Sequence, residues 1–279
     1  MTNTTEKPKK PRRLSTRERK LGAFLEGLYA DYSRQGLVSP DPLEFLNGCD
    51  LPDREVVGLV ASSLAYGRVA GILRNVRRVL DALGARPHRF LLDCPERIPG
   101  LLGDFRHRFT TAEDVETMLS RTAAALAEHG SLEALLKHCL HVRSGELLPA
   151  VSDFAEALWP ADRPGFPLVA SPRSGSACKR LFLFLKWMVR RDDVDPGGWG
   201  ILSPADLIMP VDTHVHHIAR SLGLTERKQA DIKTALEITR AFARLCPEDP
   251  TRYDFVITRF GIRNDMKVED LISGVPIHE

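Results

Sequence analysis

The stretch Gly175-Ser-Ala-Cys-Lys-Arg-Leu-Phe-Leu-Phe-Leu-Lys-Trp-Met188 places apolar residues on nearly every side of a helical wheel. A helix of that kind has to lie between other layers, so 176–190 reads as the central helix of the molecule. Outward from it, apolar residues keep recurring at helical spacing. No run of alternating β-branched residues bounded by turns competes with them, and the expected fold class is all-α. Helices are predicted over 15–35, 55–66 with Asp53 as N-cap, a basic segment from 68 to 83, 86–94, 112–129, 131–141 and 145–158. After the central helix the pattern predicts a short helix start at Ser203-Pro-Ala-Asp, a helix opened by Asp212 and ended by Gly223, and helices over 226–245 and 250–261.

Composition bounds the rest. The chain has 279 residues with 43% hydrophobic content, enough for one large core or two helical lobes. No apolar run approaches the roughly 18 residues of a membrane span. The start of the chain lacks an apolar signal stretch, so a cytoplasmic, monomeric protein without membrane contact is expected. The five cysteines are scattered, which suits reduced thiols better than a disulfide framework, a zinc site or an iron–sulfur site. Residues 1–20 hold eight Lys/Arg and two Asp/Glu, whereas the remaining 259 carry 31 positive and 35 negative residues. The first 20 residues thus read as a basic tail that attracts phosphate or merely keeps the chain soluble. Any nucleic-acid site on the mildly acidic body must then be a local patch. Arg68, Arg74, Arg77 and Arg78 form one candidate, and Arg173, Lys179 and Arg180 another.

The chemistry concentrates at Lys179 and, 33 residues later, Asp212 in Pro210-Val-Asp-Thr-His214. A lysine can be a covalent nucleophile only when its amine is uncharged. A helix N-terminus with Arg173 and Arg180 nearby supplies the positive potential that disfavours the ammonium, and a carboxylate can move the proton. The turn Pro172-Arg173-Ser174-Gly175-Ser176 is expected to aim backbone N–H groups outward as a phosphate site. Each residue alone has a plainer reading, as a first-turn surface lysine and as a helix-capping aspartate.

Pro210-Val-Asp-Thr-His-Val215, followed by Ile218-Ala-Arg-Ser-Leu-Gly-Leu224, resembles the segment of helix-hairpin-helix DNA glycosylases in which an aspartate opens a helix carrying a His and a basic residue. Lys179-Arg-Leu-Phe-Leu-Phe-Leu-Lys-Trp-Met188 is similar to their lysine helix, and the 33-residue separation is closest to that of archaeal 8-oxoguanine glycosylases. Leu64-Ala-Tyr-Gly-Arg68, Gly175-Ser-Ala-Cys-Lys-Arg180 and Pro210-Val-Asp-Thr-His214 together resemble a bacterial family within this superfamily, across most of 20–279. Two features depart from the superfamily pattern. Ser171-Pro-Arg-Ser-Gly-Ser stands in place of the usual Leu-Pro-Gly-Val-Gly hairpin, and the four-cysteine iron–sulfur cluster of many relatives is missing.

The resemblance implies a two-lobed helical fold, with one lobe at about 52–190 and the other built from 21–51 and 205–279. It implies DNA, duplex or single-stranded, as partner, and excision of a damaged base such as 8-oxoguanine without a cofactor. In that scheme Lys179 is the nucleophile and Asp212 its electrostatic and proton-transfer partner. Phe182, Trp187 and Trp199 are candidates to line the pocket, although aromatics at helical spacing mostly pack in cores. Tyr66-Gly67-Arg68 stands where the superfamily inserts a side chain into the gap left by a flipped nucleotide, and it also reads as a plain helix–helix turn. His214 joins the DNA-binding candidates. Two other readings stay open. One is a metal-dependent hydrolase using Asp212 and His214, weakened because His214 and His217 share a helix face that His216 does not. The other is a DNA-structure-binding protein without catalysis.

Overall fold

A computed structural model describes residues 13–262 together with 270, 271 and 274. The first twelve residues of the basic tail, and most of the chain beyond 262, lie outside the described residues. The fold is mostly helical, in the order α1 (Thr16–Tyr32), α2 (Leu51–Ser63), α3 (Val69–Leu83), α4 (Pro87–Asp93), a two-stranded hairpin of β1 (Arg106–His107) and β2 (Thr110–Thr111), α5 (Ala112–His129), α6 (Leu132–Val142), α7 (Leu147–Leu158), α8 (Lys179–Val189), α9 (Thr213–Ser221), α10 (Ile232–Leu245) and α11 (Asp254–Ile262).

Helix α8 is the central element. Every side chain from Leu181 to Val189 is buried, and α2 packs along it. Each Leu or Phe taken out of water there stabilises the fold by about 1.5–3 kcal/mol. Gly58 in α2 permits the close approach, since a Cβ at that position would meet Met188 Cε at 2.9 Å. Helices α4, α5, α6 and α7 pack in turn beyond α2, while α1 packs on α10 and α11, and α9 on α11.

Local chemistry sets the helix ends. Ser15 and Thr111 form capping boxes with Glu18 and Asp114 at the starts of α1 and α5. Asp50, not Asp53, caps α2, and Asp53 is buried behind it, accepting from His88 N at 3.0 Å and pairing with Arg86. Helix α10 begins only at Ile232, because Asp231 caps it and Thr234 and Arg227 bond that carboxylate. The expected helix over 226–231 is loop. Ser203-Pro-Ala-Asp forms a single 3-10 turn.

Buried charge joins the parts. Lys186 Nζ in α8 lies 3.2 Å from Asp195 Oδ1 and 3.1 Å from Asp254 Oδ2 of α11. Arg190 pairs with Asp192, Asp195 and Asp249 at 2.5–2.7 Å, and Tyr29 of α1 donates to Asp192 at 2.7 Å. Burial opposes the charge on Lys186, but Asp195 and Asp254 outweigh it and hold the ammonium above its ordinary range. Glu55 of α2 works as a second anchor. Its buried carboxylate accepts from Leu132 N and Glu133 N at the start of α6 and from Trp199 Nε1, at 2.7–3.1 Å.

Candidate active site

A cleft of about 1140 Å³ runs between the C-terminal end of α2, the start of α8, the start of α9 and α11. Its chemistry begins with two helix starts. Cys178 adopts a left-handed conformation at φ 48° and ψ 36°, which turns the chain sharply into α8 and makes Lys179 its first residue. Asp212 caps α9, its Oδ1 accepting from His214 N and Val215 N, each at 2.9 Å. That leaves Oδ2 for Lys179 Nζ, 3.5 Å away. The amine also donates to Ala65 O at 3.3 Å. The two side chains are 29% and 31% exposed, so the pair is fixed at the cleft surface and still open to a ligand.

Beside the pair, Arg180 forms part of the wall. Its guanidinium lies over the rings of Phe166 and Tyr66, 4.4 and 5.1 Å from their centroids, and donates to Ser63 O and Pro167 O. Burial without a carboxylate partner pulls it down to about 10. Tyr66 is itself tied down, its hydroxyl 2.7 Å from both His107 O and Thr110 Oγ1.

The cleft brings together Lys179, Asp212, Tyr66, Arg68, Ser176, Arg180, Trp187 and His214 of the residues singled out in the sequence. The others lie elsewhere. Arg173 is held by Asp153 and Glu156, both at 2.5 Å, so its charge is already neutralised. The turn containing Ser174 and Gly175 spends its N–H groups internally, on Ser171 Oγ and O, Pro172 O, Ser174 Oγ and Ser176 Oγ. The outward phosphate grip expected there is therefore not formed. Phe182 is buried outside the cleft, and Trp199 packs edge-on against Phe154 and Phe184 with its N–H on Glu55. Both are core residues. Sequence reading in turn passed over Phe166, Asp254 and Arg259, which line the cleft. Phe166 sits in a proline-rich loop that carries no periodicity, and the other two look like ordinary positions of a terminal helix.

For metal, the described residues contain no group of three or more His, Cys, Asp or Glu arranged to hold an ion. The His216 ring is engaged with Arg227 O at 2.9 Å.

Residues 41–263 match the family described as Protein of unknown function (DUF2400). The chain belongs to that family. No curated protein and no solved structure matches the chain. The matched span contains Lys179, Asp212 and the whole aromatic wall. No helix among the described residues is long and apolar enough to cross a membrane.

Proposed function

We propose that this protein is a DNA-repair glycosylase with β-lyase activity, acting through a Schiff base at Lys179. The observation that carries the reading is the Lys179–Asp212 pair. An amine sits 3.5 Å from a carboxylate oxygen whose twin oxygen is anchored on two backbone N–H groups, all inside a cleft large enough for a nucleotide. The helix-hairpin-helix glycosylase resemblance of the two segments supplies the substrate class, with an oxidised purine such as 8-oxoguanine as the base.

The lone pair of Lys179 forms a bond to C1′ while the glycosidic bond breaks and its electron pair leaves with the base. The proton lost from nitrogen passes to Asp212 Oδ2 and on to the departing base, and the same carboxylate stabilises the oxocarbenium-like charge. Ring opening gives the Schiff base. Removal of a C2′ proton then expels the 3′ phosphate. The base has to leave the duplex to reach the amine, and the Tyr66–Phe166–Arg180 wall offers it flat partners.

Borohydride trapping on oligonucleotides carrying 8-oxoguanine, uracil, an oxidised pyrimidine or an abasic site tests the proposal. A covalent adduct that disappears in Lys179→Gln is expected. Duplex binding without any adduct would replace the enzyme by a DNA-structure-binding protein, and absence of both would end the nucleic-acid reading.

A further inference from the structure

Arg180 carries its charge in the cleft wall without a carboxylate. The buried cations Lys186, Arg190 and Arg259 each face an aspartate. Arg180 enters no ion pair among the described residues and donates instead to two carbonyls, Ser63 O at 2.8 Å and Pro167 O. Of the five N–H donors of a guanidinium, those two bonds leave three without a protein partner. A neutral amide could hold the same carbonyls. Withdrawing a charge from water with no counter-charge is costly, so this guanidinium suits an anion that arrives from outside. Arg54 is the contrasting case. It too bonds carbonyls, those of Cys49, Pro196 and Gly197, but it lies away from the cleft and its spare Nε is sealed in the interior. Arg180 lines the cleft.

The element that holds the nucleophile also sets the place of this charge. Lys179 Nζ hangs from Ala65 O at 3.3 Å, and Arg180 Nη1 from Ser63 O, two residues earlier in the chain. Amine and guanidinium therefore stand side by side at the end of α2. Asp212 pairs with the first and leaves the second uncompensated. A sugar bound covalently to Lys179 would bring its own phosphate next to that cation.

We infer that Arg180 is an anion subsite for the phosphate on the 3′ side of the lesion, the group that β-elimination expels. The inference rests on the proposed function and adds a residue for its last step. As the C2′ proton passes to the Asp212 carboxylate, the C2′–H electron pair forms the new C2′–C3′ double bond. The C3′–O pair leaves on the phosphate oxygen, and a diester of one negative charge becomes a monoester of two. Of the strand's phosphates only this one gains charge in the reaction, so it is the one that a fixed, uncompensated guanidinium helps most. The ring-covered surface of Arg180 remains part of the wall, and its spare N–H groups take the phosphate.

The test uses the full chain and short undamaged single strands, labelled at the 3′ end and carrying either a 5′-phosphate or a 5′-hydroxyl, read by fluorescence anisotropy. The 5′-phosphate is the group that the expelled strand bears, and binding involves no Schiff base. Wild type is expected to prefer the phosphorylated strand by roughly ten- to a hundredfold, the scale of hydrogen bonds to a charged group. Arg180→Met keeps the length of the side chain without its charge and should abolish the preference. Arg180→Lys keeps the charge without the planar fork and should lose several-fold of it. Urea melts establish that each variant is folded. Absence of a preference in wild type, or one that survives undiminished in either folded variant, overturns the subsite. An Arg180-dependent preference with no borohydride adduct on any lesion would sink the glycosylase reading and leave the anion subsite standing. A Lys179-dependent adduct with no phosphate preference would do the reverse.

Discussion

Asp212 divides its labour between two oxygens, one capping α9 and one facing Lys179. The two tasks are separable by substitution. Asp212→Asn keeps a capping oxygen and should leave stability within a few tenths of a kcal/mol, whereas Asp212→Ala should cost about 1 kcal/mol. Both should slow single-turnover adduct formation by about 10²–10⁴-fold through loss of the proton acceptor. Urea melts and a trapping time course check the two halves, and equal trapping by Asp212→Asn would remove the carboxylate from the chemistry. This pair was legible in the sequence because helix starts are local events, written in a capping Asp and in the first residues of an apolar run. Phe182 and Trp199 were not, since spacing tells that an aromatic faces inward but not whether core or cleft awaits it. Arg180 was read as a source of positive potential near Lys179; that its guanidinium also lies in an aromatic stack was not legible.

At the level of elements, the helices follow from their apolar periodicity, and the errors collect at their ends. A carboxylate three residues late was taken for the cap of α2, and polar residues 226–231 were drawn into α10. The hairpin left no trace because Arg108-Phe109 lacks the glycine or asparagine that announces a tight turn. Gly67 is where that hairpin meets the end of α2. It holds φ +98°, and a Cβ there would stand 2.8 Å from Arg108 Cδ. Gly67→Ala should therefore cost about 1–2 kcal/mol of backbone strain in a urea melt and shift Arg108. Unchanged stability would show that the turn relaxes freely. Phe184, fully buried on α8, supplies the comparison for the core: Phe184→Ala should cost about 3–5 kcal/mol in a urea melt with no selective effect on DNA.

The whole molecule is held by its buried charges. Lys186→Met leaves Asp195 and Asp254 without their ammonium and should destabilise by about 3–5 kcal/mol. Acid should act through Asp192. Burial raises its carboxyl, but Arg190, Tyr29 and backbone N–H groups outweigh that and bring it down to about 2, from an ordinary 3.8. A depressed carboxyl stabilises the fold above its unfolded value and loses that contribution as pH falls from about 4 to 2. The contribution is roughly 2 kcal/mol. Asp195, which burial raises against Lys186 and Arg190, acts with the opposite sign. Asp192→Asn should be destabilised at pH 7 and converge with wild type near pH 2, and a gap that persists there would assign the loss to packing. The packing of α1 against α10 and α11 has a consequence in time. Glu18 of α1 meets Arg244 of α10 across 226 positions of sequence. At about 5–20 residues per second, a ribosome makes α1 wait roughly 10–45 s for its partner. During that interval the faces of α10 and α11 on which α1 packs do not yet exist, so burial of Leu21 and Leu25 in the finished core is deferred to the end of synthesis.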